Sequence, residues 1–255
     1  MNWSKTYPGL DPMRVNKWLA HEGVCSRREA EEAIAAGRVS IDGARVHDPG
    51  HKIGAGQTLT LEQSGVKAPL SFVLNKPVGF VSAQPEGPQI PAARLLTTAN
   101  LWPLARDEAP SSRASLAPLG RLDQDSRGLL LLSADGVLAK AVIGETSRLD
   151  KEYRVRVEGR VEAAKLVQLR HGLSLDGRTL KPACIEEVAA GALRFVLYEG
   201  RKRQIRRMCE LVGLRVIDLQ RVRIGPLELG ALPEGQWRRL RDDERESILR
   251  YGQGG

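Results

Sequence analysis

The sequence predicts an α+β protein with a small N-terminal domain ahead of a larger one. Three observations carry this. Two short helices, a hairpin and a strand follow one another from residue 13, in a unit of about sixty residues, near the lower limit for folding alone. A polar segment rich in Gly, Ser and Lys comes next. From residue 119 onward, strands with period-two patterning alternate with helices of period 3.6. The expected layout is a flexible leader over residues 1–12, a first domain over 13–62, a linker over 63–69, and a second domain over 70–250 with an insertion at 84–118.

Each element has its own signal. "NKWLAHEG" reads as a short amphipathic helix ended by Gly23. In "SRREAEEAIAAG", Ser26 and Glu29 have capping-box spacing, and Gly37 stands where a glycine closes a helix. "RVSIDGARV" places Val39, Ile41 and Val46 around Asp42-Gly43, a strong hairpin signal. "QTLTLEQ" is a further strand. "SFVLNKPVGFVSA" reads as a buried strand running into a turn with Lys76-Pro77. Residues 84–118 are rich in Pro, Ala, Ser and Thr and read as a long, partly ordered insertion. "EYRVRVEG" and "ALRFVLYEG" are strands, and "EAAKLVQLRHG" is helical. In "RQIRRMCELVG", Ile205, Met208, Cys209 and Val212 recur at helical spacing and form a stripe to be buried. "LPEGQWRRLRDDERESILR" closes with a turn, a strand and a helix.

Composition bounds the function. The chain has 255 residues, with 42% hydrophobic and 27% charged residues, as in a soluble globular protein. Its formal charge is +8, and arginine outnumbers lysine roughly three to one. Arginine is the better fork for phosphate and for stacking on bases, so a nucleic-acid partner fits. The alternative is a well-solvated surface. Cys25, Cys184 and Cys209 lie far apart with no C-x-x-C pair, which argues against a disulfide framework or a zinc site; they read as small buried hydrophobes in a reducing compartment. No run approaches the ~18 apolar residues of a membrane span, and the N-terminus has no signal-peptide core. A cytoplasmic protein is expected.

The most informative stretch is "GRLDQDSRGLLLLSADG", residues 120–136, where an acidic turn abuts four leucines. Three readings compete. A D-x-D metal or phosphate site needs an apolar strand before the first aspartate, whereas here the apolar run follows; a calcium loop would need an oxygen ligand at Arg127 and a Glu at Ala134. With four histidines, none paired at ligand spacing, no metal is expected. A structural reading serves Asp125, Ser126 and Gly128 as ordinary turn residues and Leu129 to Leu132 as core strand. It serves Arg121 and Asp123 less well, because Leu122 between them would anchor the turn and display both at the rim. The third reading is catalytic: an aspartate beside a core strand needs a cation to stay ionised, as a nucleophile or base must. Arg206, at the border of the buried stripe, is placed to reach a buried carboxylate; Arg201, Lys202 and Arg207 read as facing water or phosphate.

"RVNKWLAHEGVCSRREAEEAIAAGRVSIDG" resembles the S4-type RNA-binding domain nearly end to end. Arg14, Lys17, Arg27, Arg28, Arg38 and Arg45 form its basic face. Arg27 and Arg28 sit in the first turn of a helix, where a cation opposes the helix dipole, and a phosphate ligand is the simplest use for them. The alternative is a solvated face balanced by Glu29, Glu31 and Glu32.

"GRLDQDSRGLLLLSADG", "NKPVGFVSA", "LDKEYRVRVEG", "EGRKRQIRRMCELVG" and "LQRVRIGPLELGALPEGQWRRL" together resemble, in order, the motifs of the bacterial S4-domain ribosomal RNA pseudouridine synthases, the group of RsuA, RluB, RluE and RluF. The helix motif leans toward the RluF-like branch. The resemblance covers residues 13 to about 240, with 84–118 as the gap. It implies a catalytic domain with a mixed, mostly antiparallel sheet flanked by helices. It implies isomerisation of uridine to pseudouridine in RNA with no cofactor: the N1–C1′ bond breaks, the base turns, and C5–C1′ forms. It places the family's essential aspartate on Asp123, its active-site tyrosine on Tyr153 and its carboxylate-pairing arginine on Arg206. Arg121 then helps open the duplex or holds phosphate, with Arg203 and Arg207 as further RNA contacts, and Lys76 is structural. The implied partner is ribosomal RNA, 23S ahead of 16S or transfer RNA, handled by a monomer. The rival reading is a non-catalytic RNA-binding protein of ribosome assembly, which has no need to keep Asp123, Tyr153 and Arg206 together.

Overall fold

The computed structural model describes residues 2–25, 27–62, 70–82, 85–111 and 116–253. The expected linker, 63–69, and the proposed cap Ser26 lie outside them. The chain divides into two compact units, residues 1–69 with 135–140, and 70–134 with 141–255.

In the first unit, helices Val15–His21 and Arg27–Ala35 precede the hairpin of Val39–Ile41 and Ala44–Arg45. Asp42 and Gly43 both have positive φ, as a tight two-residue hairpin turn requires. Gly37 ends the second helix in left-handed conformation, with the Arg38 N–H donating to Ala33 O. Strand Thr58–Glu62 pairs with Val39–Ile41. The expected leader is corrected here. Asn2–Thr6 is a strand on the outer edge of Thr58–Glu62. Its anchors are aromatic: Trp3 and Tyr7 meet Trp18 edge-on at 5.7 and 5.2 Å. On the other face, the Ser4 and Thr6 hydroxyls bond Thr60 and Thr58.

The second unit is built on one sheet. Its strands run, side by side, Cys184–Ala189, Ala192–Leu197, Lys151–Glu158, Arg215–Ile224, Arg127–Ser133, Ser71–Lys76 and Trp237–Arg239. Neighbours are antiparallel except at the centre, where Arg127–Ser133 lies parallel to Arg215–Ile224. The sheet is therefore mixed and mostly antiparallel. Leu129 to Leu132 are all buried, so both faces of that strand are covered. Helix Gln204–Leu211 buries Ile205, Met208 and Cys209, followed by Val212, against Val155, Phe195 and Leu219.

The insertion is more ordered than its composition suggests. Ile90–Pro91 pairs with Phe80–Val81, two short 3-10 turns follow, and Ala117–Pro118 joins the edge of Arg127–Ser133. Ala92 and Leu96 are buried against Phe72, Leu74, Leu130 and Leu132. The Trp237 indole donates to Thr97 O at 2.8 Å. Much of the insertion is thus the lid of one core face. Cys184 is also corrected: it is exposed, whereas Cys209 is buried and Cys25 half-buried. Burial pushes the thiols of Cys25 and Cys209 up to about 12.

Candidate active site

The acidic turn sits at the entry to the central parallel strand and is tied at Gly120, Leu122, Gln124 and Asp125. Lys76 is fully buried, and its ammonium donates to Pro77 O and Phe80 O, both at 2.8 Å, closing the turn that follows its strand. Burial lowers its pKa to about 8, although Asp125 and Asp123 act in the opposite sense. That closed turn grips the acidic one. The Ser82 hydroxyl donates to Leu122 O at 2.7 Å and accepts from Leu122 N at 2.9 Å. Gly79 N donates to Gln124 O at 2.8 Å, and Gln124 Nε2 returns a bond to Gly79 O. Leu122 is buried, as its place between two displayed residues suggests.

From the opposite side comes Arg221, on the central strand Arg215–Ile224 and 1% exposed. Its guanidinium donates to Gly120 O and Leu129 O, both at 2.8 Å, one on each side of the turn. Close approach here requires Gly128: a Cβ at that position would lie 2.2 Å from Arg221 O, and its φ is +104°. Arg221 pairs in register with Gly128 on one neighbouring strand and with Tyr153 on the other.

Asp123 and Asp125, two residues apart, differ in their partners. Asp125 faces the helix Gln204–Leu211. Arg203 binds its carboxylate bidentately at 3.0 and 2.8 Å from a left-handed residue at the helix start. Arg206, buried, donates to Asp125 O at 2.6 Å, and its Nε lies 3.2 Å from the carboxylate as an ion pair rather than an aligned hydrogen bond. Burial opposes the charge on Asp125, but the Arg203 hydrogen bonds and the Arg206 charge outweigh it and hold the carboxyl below its usual range. The arginine pairing implied for Asp123 is therefore made by Asp125 instead: the buried Arg206 donates to the Asp125 carbonyl and pairs with its carboxylate, while Asp123 has no ion pair among the described residues.

Asp123 is half-buried and opens on a cleft of about 900 Å³ within the second unit, shared with Tyr153, Arg121, Lys151 and Arg221. Among the described residues its carboxylate has neither a hydrogen bond nor an ion pair. Tyr153 is half-buried beside it on Lys151–Glu158, packed between two hydrophobic clusters, one with Val155, Phe195 and Leu219 and the other with Leu122, Leu130 and Phe72. The arrangement thus sets the Asp123 carboxylate, without an ion pair among the described residues, near the Tyr153 ring in a cleft also lined by Arg121, Lys151, Arg203 and Arg221, and holds the backbone on either side of Asp123.

The predicted RNA contacts divide. Arg121 and Arg203 line the cleft, and Arg121 is exposed with no ion pair among the described residues. Arg207 is bound bidentately by Asp176 at 2.9 and 2.7 Å, away from Asp123. Arg201, read as facing water or phosphate, instead bonds the carbonyls of Leu175, Arg178 and Thr179. In the first unit Arg14, Lys17, Arg27 and Arg28 are exposed and Arg38 is half-buried. Sequence reasoning missed Ser82, Lys151 and Arg221. Lys151 had a signal, because it stands two residues before Tyr153 and so on the same strand face; a lone serine had none.

No group of three or more His, Cys, Asp or Glu among the described residues is arranged to hold a metal ion. No helix among them is long and apolar enough to cross a membrane.

The RNA pseudouridylate synthase family matches residues 71–211, and the S4 domain matches residues 13–59. A dual-specificity RNA pseudouridine synthase RluF from Escherichia coli K12 is 32% identical over 237 residues, 91% of this chain and 77% of that protein. The ribosomal large subunit pseudouridine synthase B of Bacillus subtilis is 34% identical over 242 residues, 91% of this chain and 93% of that protein. A crystal structure of a pseudouridylate synthase superposes with a TM-score of 0.64 at 26% identity, covering 92% of this chain and 99% of that one.

Proposed function

The chain belongs to the RNA pseudouridine synthase family, with an S4 domain ahead of the synthase domain, and from that premise we propose that it isomerises a uridine of ribosomal RNA, with 23S RNA as the substrate. The observation that supports this best is the Asp123 carboxylate, open to the cleft beside Tyr153 while Gly120, Leu122, Gln124 and Asp125 of its turn are held. The ribosomal target rests on the B. subtilis relative, whose name assigns it to the large ribosomal subunit.

The uridine must leave its stack to reach a recessed carboxylate, which is least costly in loops and bulges of folded RNA. Tyr153 receives the flipped base against its ring. Asp123 begins the reaction at the sugar, by attack on C1′ or by taking the C2′ proton; either role needs an ionised, aimed carboxylate. The N1–C1′ bond breaks, the uracil turns, C5 bonds to C1′, the C5 proton departs with Tyr153 nearby to assist, and the freed N1 takes up a proton from solvent. Arg121, at the cleft rim, holds phosphate or fills the gap the uridine leaves. The S4 domain supplies phosphate contacts through Arg14, Lys17, Arg27, Arg28 and Arg38, which position the enzyme without reading sequence. The protein acts as a monomer in the cytoplasm.

The test is to map pseudouridines in ribosomal RNA from cells with and without the gene. One 23S position that loses its pseudouridine, and regains it when purified protein is added, is the expected result. An unchanged 23S map beside a lost 16S or transfer-RNA site would reassign the substrate.

A further inference from the structure

Asp123 and Tyr153 account for only part of the cleft. Beside them, Lys151 and Arg221 converge on Gly120: a Cβ built there would lie 3.6 Å from Arg221 Nη1 and 3.9 Å from Lys151 Cε. Arg221 is nearly inaccessible, yet it faces the cleft and pairs with no carboxylate among the described residues. Its Nε and Nη2 are used on Leu129 O and Gly120 O, and Nη1 has no partner there. Lys151 gives a single bond, to Leu149 O at 3.0 Å. The opposing charges adjacent in sequence are already held, Asp150 bidentately by Arg223 at 3.1 and 2.7 Å and Glu152 by Arg194 at 3.0 Å. Burial, and next the charge of Arg221, push the Lys151 pKa down to about 8.

Two cations this close, both short of partners, are costly unless an anion completes them. If Arg221 served only to anchor the turn, a second cation with spare donors would have no use beside it. Their placement identifies the anion. Lys151 lies two residues from Tyr153 on the same strand face, roughly 7 Å along the chain. Arg221 is the cross-strand partner of Tyr153. We propose that Lys151 and Arg221 form a phosphate subsite that takes a backbone phosphate of the very nucleotide whose base rests on Tyr153. The subsite deepens the synthase reading and rests on it: it fixes the sugar of the flipped uridine over Asp123 by holding the charged end of the same nucleotide.

The experiment is inhibition of tritium release from RNA carrying 5-tritiated uridine, by uridine, uridine 5′-monophosphate, uridine 3′-monophosphate or inorganic phosphate. On the wild type, one of the two monophosphates inhibits at about tenfold lower concentration than uridine, the gain of one charge-assisted contact pair. In Lys151→Gln that gap closes to within about twofold, and KM for RNA rises by a larger factor than kcat falls. Lys151 is half-exposed, so this variant folds where an Arg221 variant would lose the turn anchor. The subsite is overturned by equal inhibition from uridine and both monophosphates, by a gap that persists in Lys151→Gln, or by inorganic phosphate inhibiting as well as the nucleotides. A wild type that releases no tritium from any RNA overturns the synthase reading and this inference with it; an active wild type without the gap overturns the subsite alone.

Discussion

Ser82 holds Leu122 by both of that residue's backbone groups, donating to its carbonyl and accepting from its amide through one hydroxyl. The next residue is Asp123. The carboxylate is thus aimed from behind, by a side chain on a different turn. Ser82→Ala removes both bonds, a loss of about 1–3 kcal/mol. We expect kcat to fall about tenfold to a hundredfold with KM for RNA little changed. Steady-state kinetics check this; a variant with unaltered kcat would show that the clamp does not position Asp123.

The insertion is a second case. Leu96 is buried under Leu130, Leu132 and Phe72. Leu96→Ala should cost about 2–5 kcal/mol of stability, as core truncations do. Urea unfolding measures it. A change under ~0.5 kcal/mol would return residues 84–118 to the loose insertion their composition suggests.

Lys76 and Lys151 set a pH dependence. Both are held at about 8 against an ordinary 10.5, chiefly by burial. Below pH 8 folded and unfolded chains are both protonated, and the folded state carries the full cost of burying the charges. Above pH 8 the folded protein sheds those protons before the unfolded chain does, so stability rises toward about pH 10.4. Lys76→Met should flatten that rise. Denaturation midpoints from about pH 7.5 to about pH 10.5, which brackets the folded and unfolded pKa values, read the slope. An identical slope in the variant contradicts this account of Lys76.

The S4 domain should act through phosphate. Arg28→Ala removes an exposed cation from the start of its helix. RNA affinity should weaken, and the slope of log K against log salt should flatten by about 0.7–0.9, one contact at most. Filter binding across a salt series decides it, and an unchanged slope removes Arg28 from the interface.

Much of the fold was legible in the sequence where the signals are local. The Asp42-Gly43 hairpin and the Ile205, Met208, Cys209, Val212 stripe are of this kind, and the structure has both. Other elements depended on distant partners. Strand Arg215–Ile224 has no apolar period, because Asp218, Arg221 and Arg223 interrupt it. Each is matched far along the chain: Asp218 by Arg127, Arg221 by Gly120 and Leu129, Arg223 by Asp150. A central strand can carry that many charges only when others neutralise or hydrogen-bond them, which no local pattern reveals. The edge strand Asn2–Thr6 is similar, since Trp3 and Tyr7 gain their meaning from Trp18. Within the site, the border position of Arg206 suggests a buried carboxylate partner, whereas the carboxylate it meets, that of Asp125, is exposed. Which of the two aspartates it meets depends on how the turn lies against the helix, and that turn is set by Ser82, Gly79 and Arg221.

The central claim is that Asp123 performs the isomerisation of uridine. Tritium release from RNA carrying 5-tritiated uridine tests it most directly, with wild type and Asp123→Asn both assayed in chelator. The C5 hydrogen must leave if C5 becomes the glycosidic carbon. The account predicts release by the wild type and none by Asp123→Asn, which keeps the shape of the side chain without its charge. Release by the variant at a rate near that of the wild type would contradict it.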